Sequence, residues 1–123
     1  MPSHPLPNYL RAHRKRLGLS QDDLAYLLGC RSGTKVSRYE RFRRQPHLAT
    51  VFAFEAIARV PARTLFAGVY VTAERDVVRR AEALLRQLAG QPESLRHRRR
   101  IVALKAIIGA VTGGDDGESR SGV

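Results

Sequence analysis

The chain has 123 residues, 43% of them hydrophobic, and a net charge of +11. This is the size of one domain with an appendage, and so short a chain builds a small core with little room for a deep substrate cleft. Its lone cysteine, Cys30, excludes an intrachain disulfide, and no apolar run approaches the ~20 residues of a membrane span.

The opening stretch, MPSHPLPNYL, has no charged start followed by an apolar run, so it does not read as a signal peptide and an intracellular chain is expected. Pro2, Pro5 and Pro7 keep residues 1–7 extended as an N-terminal arm. Asn8 can cap a first helix over 8–17 with Leu10 and Leu17 inward, and Gly18 stops it. Ser20-Gln21-Asp22-Asp23 has the spacing of a capping box for a second helix reaching Leu28, with Leu24, Leu27 and Leu28 as its apolar stripe. Gly29 ends that helix.

A third helix is expected over 33–42. The 3.6-residue period puts Val36, Tyr39 and Glu40 on one side and Thr34, Ser37, Arg38 and Arg41 on the other, with Lys35 at the margin. Arg43-Arg44-Gln45-Pro46 follows as a basic loop. Leu48, Val51, Phe52, Phe54 and Ile57 pattern a fourth helix over 48–58. Pro61 opens a short fifth, whose Leu65 and Phe66 close the core. Thr72 can cap a sixth helix reaching Ala89, striped by Val77, Ala81, Leu84 and Leu88. A seventh is expected over 93–110, with Ile101, Leu104, Ile108 and Val111 in register. These stripes are too short for a coiled coil. They leave open packing within the chain, pairing with a second copy, or grip on a protein partner. Residues 112–123 have the composition of a disordered tail.

The charge is uneven. Residues 1–71 carry 12 basic and 4 acidic side chains, residues 72–111 carry 9 and 4, and residues 112–123 carry 1 and 3. Three of the 22 basic residues are Lys (Lys15, Lys35 and Lys105) and the rest are Arg. An excess of this size points to a polyanion, nucleic acid before an anionic membrane. Arg41, Arg43 and Arg44, with Arg31, are candidates for phosphate contacts. The run Arg96-His97-Arg98-Arg99-Arg100 suits sequence-independent contacts of the same kind. His4, His13, His47 and His97 stand apart from any Cys or carboxylate at ligand spacing, and there is no phosphate loop or nucleophile motif. No enzymatic activity, metal site or cofactor is expected.

Two helices joined by a short turn, the second with a basic outer face, fit a helix-turn-helix. The pieces LRAHRKRLGLSQDDLAYLLG, TKVSRYERFRRQP and LATVFAFEAIARVPARTLF resemble, over residues 8–66, the Cro/CI-type (XRE, lambda-repressor-like) helix-turn-helix DNA-binding family. The resemblance implies an all-α, five-helix domain over 8–70, followed here by a helical pair over 72–111 that packs or dimerises. It further implies a sequence-specific regulator of transcription, a repressor by family habit, homodimeric on double-stranded DNA in a prokaryotic or phage setting. An antitoxin-like module, with the C-terminal pair holding a protein partner, is the alternative.

In that family the second helix crosses the DNA backbone and the third enters the major groove. Gln21 then matches a Gln that contacts phosphate. Thr34, Lys35, Ser37 and Arg38 match base-facing positions, where Arg38 and Lys35 can donate to guanine O6 and N7. Gly33 takes a further such position, at which a missing side chain permits close backbone approach. Arg14 and Glu40 match a structural ion pair. The chain departs from the pattern in four places: one extra residue within Cys30–Gly33, Cys30 where an aliphatic residue is usual, Glu55 where a small apolar residue is usual, and Arg59 in place of the Gly after the fourth helix.

Overall fold

Gly18 and Gly29 cut the first part of the chain into short pieces. In the computed structural model, which describes residues 4–112, α1 is Leu10–Leu17 and α2 is Gln21–Leu28. Each is closed by one of these glycines, with φ of 78° and 77°. This left-handed backbone carries no Cβ penalty at glycine. At the start of α2, the Ser20 hydroxyl accepts from the Asp23 N–H and the Asp23 carboxylate accepts from the Ser20 N–H, both at 2.9 Å. This is the capping box the sequence predicts.

α3 is Gly33–Glu40, α4 Leu48–Ala58, α5 Ala62–Leu65, α6 Ala67–Leu88 and α7 Leu95–Thr112. Every regular element among the described residues is a helix, so the fold is all-α. None of these helices is long and apolar enough to cross a membrane. The chain divides into two compact units, Met1–Val71 and Thr72–Val123, and the division falls within α6.

The first unit buries Leu10, Leu24, Ala25, Val36, Tyr39, Phe54 and Leu65 in one cluster, with Leu28, Cys30, Ile57, Val60 and Phe66 packed against it. Cys30 thus serves as a small apolar side chain. Phe54 sits between two rings, edge-to-face with Tyr39 (5.8 Å between centroids) and with Phe66 (6.2 Å). Such pairs add ~0.5–1.5 kcal/mol each beyond the apolar area they bury.

Several expected core positions lie outside the cluster. Leu17, in the last turn of α1, is at the rim and half exposed, and Leu27 is turned outward while Ala25 is buried. On α4, Leu48 and Phe52 are 69% and 56% exposed, because Phe54 and Ile57 occupy the inward face.

Several helix boundaries also differ from expectation: α1 starts at Leu10 with Tyr9, not Asn8, in the cap position, and α7 runs Leu95–Thr112 rather than 93–110. α3 stops at Glu40 because Phe42 takes a left-handed conformation (φ 58°). The Arg43 N–H folds back to the Arg38 carbonyl at 2.8 Å, a closure usually built on glycine. α6 begins at Ala67, so Thr72 lies inside it and is not its cap. The first turn of a helix needs acceptors for its free N–H groups. Here the Gly68 N–H donates to the Leu6 carbonyl at 2.8 Å. The N-terminal segment, bound there, supplies what Thr72 was expected to supply.

In the second unit Ala81, Leu88 and His97 are buried. Leu84, Ile101, Leu104, Ile108 and Val111 are half-buried, whereas Val77 is half exposed. Ser94 caps α7, its hydroxyl accepting from the His97 N–H at 3.0 Å. Thr112 is the last residue of α7; the rest of the stretch expected to be a disordered tail lies outside the described residues, as do residues 1–3.

Candidate nucleic-acid interface

α3 is two turns long, and its two faces have opposite characters. Val36 and Tyr39 are buried, and the Glu40 side chain is only 3% exposed. On the opposite arc Thr34 and Arg38 are exposed and Ser37 is half-buried, with Lys35, also half-buried, at the margin. The 100° step per residue groups 34, 37, 38 and 41 on one side, as the sequence predicts. α3 therefore presents hydroxyl and guanidinium groups outward along a single stripe.

Glu40 is the hub beneath this stripe. Arg14 Nε stands 2.6 Å from Glu40 Oε2 and its Nη2 is 3.2 Å from Oε1, a two-pronged contact. Arg14 also donates to the Leu19 carbonyl at 2.9 Å. The Glu40 hydrogen bond holds the Arg14 pKa above its ordinary value, so the guanidinium stays charged. Gln21, the first residue of α2, donates its amide to Glu40 Oε1 at 3.1 Å. One carboxylate thereby joins α1, α2 and α3 just under the outward face.

Arg31, Arg41, Arg43 and Arg44 are all exposed, Arg41 as the cap of α3 and the next two in the loop that follows. Arg41 also lines an open groove of about 820 Å³ together with Arg11, Lys15, Gln21 and Ser37 among others. Sequence reasoning passed over Arg11 and Lys15. Their i, i+4 spacing on α1, one position off the half-buried Arg14, was the available signal.

The turn between α2 and α3, Gly29 to Ser32, is built from capping bonds. The Cys30 N–H reaches back to the Ala25 carbonyl at 2.8 Å. Ser32 Oγ accepts from the Thr34 N–H at 3.4 Å, a weak contact at that length. A shorter bond comes from across the motif: Asp22 Oδ1 accepts the Gly33 N–H at 2.8 Å. Gly33 is buried, and the close approach it permits is that of α2.

The other two departures also have local explanations. Arg59 closes α4 by adopting the left-handed conformation itself (φ 62°), its N–H donating to the Glu55 carbonyl. The Glu55 carboxylate accepts the Ala62 N–H at 3.0 Å and caps α5.

Two short helices crossing through a tight turn, the second basic on its free face, define a helix-turn-helix. Residues 6–65 match the model of a family described as helix-turn-helix domain. A domain of this class marks a DNA-binding regulator and is typically non-enzymatic. No curated protein and no solved structure matches the chain.

Proposed function

We propose that the chain is a sequence-specific, double-stranded DNA-binding regulator of transcription of the XRE type, acting as a repressor. α3 lies in the major groove. Thr34, Lys35, Ser37 and Arg38 read base edges there, and Gln21, Arg31, Arg41, Arg43 and Arg44 hold phosphates on either side. The observation that carries this reading is the division of α3 into a buried face bolted through Glu40 and an outward face of donors. A reading helix must be rigidly seated and chemically free on its far side. The regulator works as a homodimer in the cytoplasm of a prokaryotic cell, its two copies meeting two half-sites.

Selection from random duplex DNA at near-physiological salt, with the full-length protein, tests this. An enriched motif with two-fold symmetry is expected. Salt-sensitive binding without enrichment would mean that the charge holds DNA without reading it.

A second reading has its own support. In the second unit Val77, Leu95 and Val102 are exposed, Val102 at 68%. Apolar side chains left in water suit a protein-binding surface, which would make DNA binding secondary, as in an antitoxin-like module. Sedimentation of the full chain beside its Val77→Glu/Val102→Glu variant separates a self-associating surface from one reserved for another protein.

A further inference from the structure

We infer that Asp22 is a positioning residue for base recognition: its carboxylate clamps the leading turn of α3 onto α2 and so sets where Thr34 and Arg38 stand. The inference rests on the reading that α3 contacts bases.

The leading end of α3 is held unusually close to α2. A Cβ added at Gly33 would lie 2.8 Å from Asp22 Oδ1, 2.9 Å from Gln21 Cβ and 3.1 Å from the Gln21 carbonyl carbon. Only glycine fits this crossing without displacing one helix from the other. The bond that spans it is the Gly33 N–H to Asp22 Oδ1 contact at 2.8 Å, whereas the local cap from Ser32 reaches only 3.4 Å. The far end of α3 is fixed independently, by Glu40 to Arg14 and Gln21.

The helix is eight residues long, so its direction is set by these two fastenings. Without Asp22 it is held at one end and by its buried side chains, and a recognition constellation tolerates only about 0.5 Å of slack. Asp22 is also a negative charge lining the groove with Arg11, Lys15 and Arg41. A carboxylate there weakens binding to any phosphate backbone, so its geometric role opposes its electrostatic one.

That opposition makes the role testable. Asp22→Asn removes the charge and keeps an acceptor oxygen; Asp22→Ala removes both. With full-length protein, affinity is measured for the duplex recovered by selection and for a scrambled duplex, and exchange of the Gly33 amide is followed by NMR. Both variants should bind the scrambled duplex more tightly. Asp22→Asn should keep the preference of the parent chain, and Asp22→Ala should lose roughly tenfold of it, the size of a misplaced base contact. Gly33 exchange should accelerate in Asp22→Ala alone.

Asp22→Ala with full preference and accelerated exchange overturns the positioning role. Unchanged exchange overturns the clamp itself. If the parent chain prefers no duplex, base reading fails and positioning with it, while the exchange data still report on the clamp. Should Asp22→Ala not fold, Asp22→Glu keeps the charge and misplaces the oxygen; retained preference there overturns the proposal equally.

Discussion

Arg14 and Glu40 meet through two nitrogens and two oxygens at 2.6 and 3.2 Å, with side chains 10% and 3% exposed. An ion pair this enclosed behaves differently from one on the surface. Removing one partner strands the other charge away from water, at a cost of ~3–5 kcal/mol. Glu40→Ala should therefore lower the denaturation midpoint sharply, and on a small domain it should leave much of the first unit unfolded. Arg14→Met/Glu40→Leu, which removes both charges, should recover most of that loss by thermal melting. A double variant as unstable as Glu40→Ala would mean that Gln21 and Leu19 depend on the pair more than the core does.

The same pair has a defined pH signature. The Arg14 pKa is raised in the folded state. Its contribution is therefore fully present below the unfolded pKa and is lost only as the pH climbs through the folded one, far into the alkaline range. Arg14 should add no slope to stability between pH 5 and 9, as urea midpoints across that range would show.

Arg38 and the loop arginines should separate by the kind of loss they cause. Arg38→Ala should cost ~1–3 kcal/mol on the selected duplex and relax one base position. Arg43→Ala should weaken binding to every duplex alike and reduce the slope of log K against log salt by ~0.9 for one phosphate contact. Equal loss on all sequences for Arg38→Ala would make it a phosphate contact instead.

Asn8 is buried and works in both directions, accepting the Leu10 N–H at 3.1 Å and donating to the Tyr39 carbonyl at 2.9 Å. Asn8→Ala leaves two enclosed backbone groups without these partners, and ~1–3 kcal/mol should disappear from the chemical denaturation free energy. A loss of a few tenths would show that water replaces the amide.

Arg59 takes the opposite sign. A non-glycine residue in left-handed backbone carries a strain of ~1–2 kcal/mol. Arg59→Gly should raise stability by ~0.5–1 kcal/mol after the greater freedom of glycine in the unfolded chain is deducted. No gain in melting temperature would indicate that the arginine side chain offsets its own backbone.

What the sequence made legible was whatever a few neighbouring residues decide. Ser20 and Asp23 lie three apart, Gly18 and Gly29 follow helical runs, and the faces of α3 follow from a period of 3.6. The Arg14–Glu40 pair came from the family resemblance, since 26 residues separate the two. The less legible features join distant segments or break a residue preference. Asp22 to Gly33 spans 11 residues and Asn8 to Tyr39 spans 31, and neither leaves a periodic trace. Phe42 and Arg59 end helices where no glycine announces it. Thr72 looked like a cap because the acceptor actually used, the Leu6 carbonyl, belongs to the other end of the first unit.

That last bond bears on synthesis. Gly68 not only donates to Leu6; a Cβ in its place would clash with the Leu6 oxygen, and the Tyr9 N–H is bonded to the Leu65 carbonyl at 2.7 Å. Leu6 and Tyr9 thus find these partners only when positions 65–68 have been translated and have cleared the ribosomal tunnel. Until then the nascent chain can assemble the helices around Phe54 but cannot tie down the segment from Leu6 to Tyr9. A fragment ending at Leu65, though it spans the whole family match, would leave the Leu6 carbonyl in that untied state permanently.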